Sequence, residues 1–469
     1  MKRPREARGL RLLTALLLVG AALLLAGAAL LAAGAAGAAE TAGSRLLSAQ
    51  STQQPPVPLQ PLIDAAPEGA VLRLAPGEYG GPAAIGKRIA IEAEAGGAVT
   101  IVNADERPAV TVTAAGVRLR GLRIEQAGGR DNPAVRVTAP EAALEELDIV
   151  TDGYGIRLEQ ADRSAVRGAA VRSSRPPGGR FTERRNGIDL YETDDAVIEN
   201  NTVVSMYDAI YIENSDNVRI TGNTVESSRY GIHVMYSDGT VIAGNDGRMN
   251  VTGAMVMTVD GVRLEGNVFA KQSENVNSQG ILLFAARNSV VTGNVVSGNR
   301  VGIYVEGSSD NRIEGNEITD NFMGMQLIDS EGNVIADNQW IGNVADAGAQ
   351  RSGANRIERN FWDAFSGIDA DGDGASDLSY AVNPFFLSVT ERRPVFQLLF
   401  QSPGMKFLEG LYGADRSGWA VDAAPLVSPA RETDRTSRES GSGRAAGAAG
   451  ALLLAAACAV IIISRRRTT

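Results

Sequence analysis

The chain has 469 residues, a formal net charge of −10, one cysteine and one histidine. The single cysteine excludes an internal disulfide, and the single histidine excludes a metal site made of several histidines from one chain. The acidic balance argues against nucleic acid as a partner, because phosphate backbones are bound by clustered Lys and Arg.

The first 39 residues have the pattern of an export signal. Basic residues at positions 2, 3, 5, 8 and 11 precede a long apolar run over 12–31, and small residues end the segment at Ala39. This order predicts a signal peptide over residues 1–39, followed by a linker over 40–57. The apolar run is also long enough to remain uncleaved as a membrane span.

The next segment predicts the start of a β-structure with a helical cap. Residues 58–66 predict a short helix, and residues 71–74 and 84–91 predict strands. A helix over the first coil would cover the apolar surface and the open sheet edge at the end of a repeat fold. Strand patterns continue through 90–170, and the basic stretch 172–186 then interrupts them. We expect that stretch to project as a loop that is either simply solvated or binds a partner.

A 22-residue repeat runs through residues 187–360. Each unit closes with an asparagine 22 residues after the previous one, except for one step of 27 from Asn267 to Asn294. A fixed period of this length is typical of a solenoid. The short alternating apolar stretches, separated by Gly, Asn and Asp, indicate strands and turns. We therefore predict an all-β fold, a right-handed parallel β-helix over residues 58–391 with coils of about 22 residues.

Position within the repeat predicts which side chains face the core. The residues one and three places after the start of each unit are apolar, as Ile232 and Val234 are, and should point inward. The residues two and four places after the start should point outward, because side chains alternate along a strand. The outward positions are therefore where binding residues are expected.

Four side chains with soft donor atoms lie together on this outward face. Coil stacking places His233 beside Met255, and in the next column it places Met235 beside Met257. One imidazole and three thioethers suit Cu(I), so these four residues are candidate copper ligands in an exposed cluster. A soft apolar docking surface is one alternative. A patch covered by the insertion at 271–279 is another.

An Asp-rich loop follows the repeat. Asp369, Asp371, Asp373 and Asp377 match the first half of a calcium loop, in which alternate carboxylates let the backbone wrap around a hard cation. The closing bidentate Glu is absent, since Tyr380 occupies its position. The four aspartates are candidate ligands of a structural calcium ion, and a cluster of Asx turns without an ion is the alternative.

The last part of the chain predicts a membrane anchor. Residues 392–412 predict two short amphipathic helices that either cap the far end of the β-helix or meet a membrane partner. Residues 413–444 are polar and lack periodicity, which predicts a flexible linker. The apolar run 445–464 is followed by three arginines and predicts a transmembrane helix with its basic flank inside. The body of the protein would then lie outside the cytoplasm.

Several short segments carry a resemblance to a known family over roughly residues 58–412. They lie at 63–79, at the His-Val-Met-Tyr-Ser coil of 233–237, at Gly-Ile-Tyr of 302–304, at Asn-Phe-Trp of 360–362, and at the Arg-Pro and Ser-Pro pairs of 393–394 and 402–403. These segments resemble the NosD family, the extracytoplasmic β-helix proteins of nitrous oxide reductase maturation.

The resemblance implies a non-catalytic role. NosD proteins work with an ABC transporter, NosF and NosY, in assembling the copper–sulfur centre of nitrous oxide reductase. The resemblance therefore implies copper as a transient cargo. It also implies that the transporter and the reductase or its copper chaperone are partners. This chain departs from the family pattern by its predicted C-terminal membrane helix.

The repeat alone also fits a carbohydrate-active enzyme, such as a polysaccharide lyase or epimerase. Asp189, Asp208 and Glu213 could supply the carboxyl groups that such an enzyme needs. Tyr207 and Tyr211 could supply a face on which a sugar stacks. No lysine lies near these residues in register and the neighbouring patch is rich in methionine, which disfavours an enzyme. A surface adhesin is a third class.

Overall fold

The computed structural model describes residues 55–176, 179–272, 278–382, 389, 404, 407–408 and 420–429. Most of these residues belong to coils in which short strands alternate with turns. Strands at the same place in consecutive coils pair in parallel, so the coils generate three long sheets, named A, B and C below. This pairing confirms the predicted all-β fold, a parallel β-helix.

Within the described residues, sheets A, B and C contain 14, 15 and 12 strands. The strands of sheet A, in spatial order, are β1 (Val57–Pro58), β3 (Gly77–Gly80), β6 (Val99–Asn103), β9 (Arg123–Gln126), β12 (Asp148–Thr151), β15 (Ala170–Ser173), β18 (Thr202–Val204), β21 (Thr224–Glu226), β24 (Asp246–Arg248), β27 (Val268–Ala270), β30 (Val295–Ser297), β33 (Glu317–Thr319), β36 (Gln339–Ile341) and β39 (Phe361–Trp362). Those of sheet B are β2 (Val71–Leu74), β5 (Ala90–Ala93), β8 (Arg118–Arg120), β11 (Ala143–Glu145), β14 (Ala165–Arg167), β17 (Val197–Glu199), β20 (Arg219–Thr221), β23 (Val241–Ala243), β26 (Arg263–Glu265), β29 (Val290–Thr292), β32 (Arg312–Glu314), β35 (Val334–Ala336), β38 (Arg356–Glu358), β41 (Ala420–Asp422) and β40 (Tyr380–Val382). Those of sheet C are β4 (Ala83–Ile85), β7 (Val110–Val112), β10 (Pro133–Val137), β13 (Tyr154–Glu159), β16 (Ile188–Tyr191), β19 (Asp208–Glu213), β22 (Tyr230–Met235), β25 (Thr252–Met257), β28 (Gln279–Phe284), β31 (Val301–Glu306), β34 (Met323–Ile328) and β37 (Ala345–Gln350).

The core of the coils is filled by stacked apolar side chains. In sheet C, Ile188, Ile210 and Ile232 are partners in consecutive strands, and each is fully buried. Val234 pairs with Val256 in the next inward column and is fully buried as well. The alternation of inward and outward residues is therefore as predicted. Burial of these columns removes apolar surface from water and stabilises the stack.

A ladder of buried asparagines fixes the stacking of the coils. The backbone N–H and the side-chain Nδ2 of Asn201 both donate to Oδ1 of Asn223, at 2.9 Å each. The same Nδ2 also lies 3.0 Å from the carbonyl oxygen of Val166. Equivalent bonds join each closing asparagine to the next as far as Asn360. Each rung satisfies buried polar groups, whose loss of a partner costs about 1–3 kcal/mol.

The ladder ends on a carboxylate from far along the chain. Asp422 is fully buried and accepts hydrogen bonds from the backbone N–H and Nδ2 of Asn360, both at 3.0 Å, and from Nε1 of Trp362 at 2.9 Å. Its strand β41 pairs with β38 and β40. Residues 420–429 therefore differ from the flexible linker predicted over 413–444. The repeat could not reveal this strand, because it joins the last coil without continuing the 22-residue spacing.

Both ends of the coils are covered. The helix α1 (Leu59–Ala65) buries Leu59 and Ile63 beside β4 and confirms the helix predicted at the first end. At the other end, the rings of Trp340 and Trp362 are stacked with their centroids 5.0 Å apart. Both tryptophans are buried. These contacts keep the apolar interior away from water at either end.

Several predicted segments lie outside the described residues. They are the signal peptide over 1–39, most of the linker over 40–57, most of the amphipathic cap over 392–412 and the transmembrane helix over 445–464. Among the residues that the structure does describe, no helix combines the length and the hydropathy needed to cross a membrane. The membrane anchor stays a prediction from the sequence.

Replacing Val234 with Asp should destabilise the fold strongly. The variant places a carboxylate without a partner among apolar side chains, so we expect the free energy of unfolding to fall by about 3–5 kcal/mol. Thr202 on β18 is exposed, and Thr202→Asp is the matched control, with an expected change below about 1 kcal/mol. Urea denaturation measures both variants. Equal stability of the two would contradict the inward assignment of Val234.

Candidate functional site

Sheet C carries the four predicted copper ligands in two adjacent columns. His233 on β22 pairs with Met255 on β25. Met235 and Met257 pair in the same way, two residues further along these strands. Neighbouring strands lie about 4.8 Å apart, so the two side chains of each pair are adjacent. All three methionines are half-buried.

His233 is buried, which corrects the prediction of an exposed cluster. Only 6% of its surface is accessible. The rings of Tyr211 and Tyr230 meet the imidazole edge-on, each with its centroid 5.0 Å from that of the imidazole. The alternation of the strand predicted the direction of the side chain correctly. Tyr211 occupies the same outward column as His233, but the contact with Tyr230, which lies outside the alternating positions, could not be predicted.

A buried carboxylate sets the tautomer of His233. Asp208 is fully buried, and its Oδ2 lies 3.0 Å from Nδ1 of His233. A carboxylate accepts a hydrogen bond from Nδ1–H, so in the neutral imidazole the lone pair is on Nε2. Nε2 is itself buried and has no hydrogen-bond partner within the described part of the chain. A histidine backed by a carboxylate in this way is typical of metal ligands.

Arg229 holds this carboxylate in place. Its Nε and Nη2 donate to the two oxygens of Asp208, at 2.8 and 2.6 Å. The guanidinium lies between the rings of Tyr207 and Tyr230, with Cζ 3.8 and 4.1 Å from their centroids. The positive charge offsets the cost of burying Asp208. Arg229 was not predicted, because it precedes β22 at a place where the repeat has no fixed residue type.

Tyr211 connects the imidazole to the neighbouring thioether. Its hydroxyl donates to Glu213 at 2.8 Å and lies 3.2 Å from Sδ of Met235. Burial raises the pKa of Tyr211, and the adjacent Glu213 carboxylate raises it further, so the phenol stays protonated. One ring thus contacts both His233 and Met235. The aromatic contact and the sulfur contact place two of the predicted ligands around the same side chain.

The residues considered for a carbohydrate-active enzyme line one cavity beside His233. The cavity has a volume of about 560 Å³, and the five residues all belong to its wall: Asp189, Asp208, Glu213, Tyr207 and Tyr211. Their meeting follows from the register of β16, β19 and β22, which the repeat spacing predicts.

Asp189 is the buried carboxyl group at the side of the cavity formed by β16. Only 5% of its surface is accessible, and Nδ2 of Asn186 donates to its Oδ2 at 2.6 Å. Burial raises the pKa of Asp189 to about 6, because a buried site disfavours the ionised form.

The basic insertion forms another wall of the cavity. Arg130 donates to the carbonyl oxygen of Thr182 in this loop, and Arg185 pairs with Asp131 at 2.5 Å. The described residues 179–186 therefore fold back over the outward face of sheet C. This differs from the projecting loop that the sequence predicts. Local charge alone could not reveal this placement, because Asp131 and Arg130 belong to a distant turn.

Three of the four predicted calcium ligands come together. Asp369, Asp371 and Asp373 each present a carboxylate oxygen within 4.8 Å of the others. Asp377 does not join this group, and its Oδ2 accepts the backbone N–H of Ala370 at 2.9 Å. The carboxylate of Asp369 also accepts backbone N–H groups of its own loop. The geometry is therefore that of an Asx-turn cluster whose three outer carboxylates lie close enough to share a cation.

The central coils match a known family. Residues 165–367 match the model of the family described as NosD, periplasmic copper-binding protein. This match confirms the resemblance to the NosD family. The matched residues include His233 and the three methionines, and the match ends just before Asp369.

Solved structures are similar to the chain at low sequence identity. The A-module of the mannuronan C-5 epimerase AlgE6 of Azotobacter vinelandii is 15% identical, with a TM-score of 0.45, over 64% of this chain and 88% of that one. The alginate lyase AlyF-OU02 in complex with G6 is 13% identical, with a TM-score of 0.49, over 66% and 86%. The surface adhesin PfbA of Streptococcus pneumoniae is 12% identical, with a TM-score of 0.38, over 56% and 83%. Likeness at this level extends to the fold alone. No curated protein matches the chain.

The buried Asp189 should make stability depend on pH. Its pKa is about 6 in the folded protein and close to 3.8 when unfolded, so the folded state retains a proton that the unfolded state loses. The stability from this group is present below about pH 4 and is lost as the pH rises through 6. Relative to Asp189→Asn, the free energy of unfolding of the wild type should fall by about 2–2.5 kcal/mol from pH 4 to pH 7.

Urea denaturation of both proteins at several pH values measures this difference. Taking the difference cancels the other carboxyl groups, which both proteins share. A difference that stays constant between pH 4 and 7 would contradict the burial of an ionisable carboxyl at this position.

Proposed function

We propose that this chain is a non-catalytic, extracytoplasmic accessory protein of nitrous oxide reductase maturation that holds Cu(I) transiently on sheet C. The unpaired, buried Nε2 of His233 is the observation that carries the proposal. The match of residues 165–367 to a copper-binding family supports it independently. Copper is the cargo of the protein in this proposal, destined for the copper–sulfur centre of the reductase.

The donor atoms around His233 suit Cu(I). Nε2 offers a lone pair, Met255 is the next residue in the same column, and Met235 approaches the imidazole through the shared contact with Tyr211. Imidazole and thioether donors select a soft monovalent ion over Zn²⁺ or Ca²⁺. Met257 completes the neighbouring column and supplies a further thioether. Neutral ligands bind more weakly than thiolates, which is what a transfer site requires.

Asp208 and Arg229 do not bind copper in this proposal but hold His233 in place. The carboxylate keeps the proton on Nδ1, so the lone pair of His233 remains on Nε2. Arg229 offsets the negative charge of Asp208 and fixes its orientation through two hydrogen bonds. The imidazole is then already in its ligating tautomer before copper arrives. No proton has to leave the buried site on loading.

The partners follow from the family and from the predicted ends of the chain. We infer that the protein works with the ABC transporter NosF/NosY, and that the reductase or its copper chaperone exchanges copper with it. The C-terminal transmembrane helix predicted over 445–464 would keep the body at the membrane surface, next to that transporter.

Calcium is a second ion in this proposal, with a structural role. Asp369, Asp371 and Asp373 would bind it beside the last coil. Adding Ca²⁺ should raise the melting temperature of the protein, and Asp371→Asn should abolish the rise. A melting temperature that changes neither with added Ca²⁺ nor with a chelator would exclude a bound calcium ion.

Substitutions at the ligands should weaken Cu(I) binding selectively. His233→Phe, and separately Met255→Leu, should lower the affinity by at least about tenfold, since each removes one donor. Asp208→Asn should lower the Cu(I) affinity about 10- to 100-fold although Asp208 is not a ligand, because the amide no longer fixes the tautomer of His233. Competition against a chromophoric Cu(I) chelator under anaerobic conditions measures these affinities.

Met249→Leu is the matched control for the methionine variants. Met249 is exposed and lies outside sheet C, so its replacement should leave the affinity unchanged. In cells, replacing His233, Met235, Met255 and Met257 together should lower the copper content of the reductase. A reductase with its full copper content in such cells would contradict the role in maturation, and an unchanged affinity of His233→Phe would contradict the site itself.

A further inference from the structure

His233, Asp208, Arg229 and Tyr211 line part of the cavity, but the rest of its wall takes no part in the copper proposal. The cavity lies over the outward faces of β13, β16, β19 and β22, and residues 182–186 of the folded-back loop form one of its walls. Its volume of about 560 Å³ is within the range of small-molecule sites, about 300–1,000 Å³. We propose that this cavity is a binding site for a neutral sugar, a ligand distinct from the copper cargo.

The wall contains four arginines and four carboxyl groups, and three of the four arginines are paired with carboxylates. Arg229 is paired with Asp208 at 2.6 Å, as described above. Arg157 is paired with Glu159 at 2.7 Å, and Arg185 with Asp131 at 2.5 Å. The ligand therefore needs no charge of its own to balance an excess on the wall. A polyanion would have to displace these carboxylates, so a neutral ligand fits better.

The wall has aromatic rings for the apolar face of a sugar ring and polar groups for its hydroxyl groups. Four tyrosine side chains contribute to it, and a sugar turns a flat C–H face toward such rings. The ring side chains are Tyr154, Tyr191, Tyr207 and Tyr211. Hydroxyl groups at the edge of the sugar need planar acceptors and donors, which the carboxyl of Asp189 and the guanidinium of Arg157 provide, 3.6 Å from one another.

The cavity is formed before any ligand enters. Asn186 fixes the carboxyl of Asp189 through a 2.6 Å hydrogen bond, and it accepts the backbone N–H of Asp208 at 3.3 Å. Arg184 donates to the carbonyl oxygen of Pro176 at 3.1 Å and is buried. A wall whose side chains are already ordered loses little entropy on binding.

Binding, and not bond cleavage, is what the carboxyl groups support. Asp208 is occupied by Arg229 and His233, and Glu213 accepts the hydroxyl proton of Tyr211. Asp189 is then left without a second free carboxyl group to act as a partner in acid–base chemistry.

Saturation-transfer NMR on the full chain tests the proposal. The probes are the methyl glycosides of glucose, mannose, galactose and N-acetylglucosamine, with methyl glucuronide as the charged comparison. The detergent must be free of sugar headgroups. At least one neutral glycoside should bind with a Kd of about 10 mM or tighter, and more tightly than the glucuronide. Asp189→Asn and Tyr191→Ala should each weaken that binding about tenfold or more.

Tyr304→Ala is the matched control. Tyr304 lies in the same outward column as Tyr211 and donates to Glu306 as Tyr211 donates to Glu213, but it is outside the cavity. This variant should bind the sugar as the wild type does. Cu(I) affinity measured on all three variants should be unchanged, which shows that they fold and separates this proposal from the copper site.

Three results would overturn the assignment. They are the absence of binding by every neutral glycoside, equal binding by Asp189→Asn, Tyr191→Ala and the control, or release of nitrophenol from the corresponding nitrophenyl glycosides. Loss of Cu(I) affinity in Met255→Leu with sugar binding retained would support two separate functions, because Met255 does not line the cavity. Failure of copper binding in the wild type would count against the proposed function alone.

Discussion

The ladder of asparagines is the constraint on which the rest of the structure depends. Each closing asparagine uses its Oδ1 to accept both a backbone N–H and a side-chain Nδ2 from the coil before it. A shift of one coil against the next would leave buried groups without partners, at a cost of about 1–3 kcal/mol for each, whereas the extra residues of the step from Asn267 to Asn294 leave the ladder intact. The ladder therefore permits little change in register. A strand shifted by one residue would also turn every apolar column outward.

The fixed register brings distant residues to one place on sheet C. His233 and Met255 are 22 residues apart, yet they are neighbours because one coil separates them. The outward face is free to vary, since it takes no part in the ladder or in the core. The site therefore arises where soft donors occur in adjacent coils, on a scaffold that needs none of them. Two features depart from the repeat. The loop over 179–186 forms a wall of the cavity, and Arg229 donates two hydrogen bonds to Asp208.

The repeat explains how much of the fold and of the site could be predicted from the sequence. The strands, the inward columns and the pairing of His233 with Met255 follow from a period of 22, because the period determines the register. Burial of His233 could not be predicted, because it depends on Tyr230 as well as on Tyr211, and Tyr230 stands outside the alternating positions. Asp208 was predicted as a carboxyl group of an enzyme, but its bonds to Arg229 and His233 depend on side-chain orientation. Asp422 was missed because its strand arrives from outside the repeat.

The central claim is that Nε2 of His233 and neighbouring thioethers bind Cu(I). X-ray absorption spectroscopy of the protein loaded with one equivalent of Cu(I) tests it most directly. We expect one nitrogen and at least two sulfur atoms bound to copper, with additional scattering from the more distant atoms of an imidazole ring. In His233→Phe the nitrogen and the ring scattering should disappear. A first shell made only of nitrogen and oxygen, or the same spectrum in both proteins, would contradict the account.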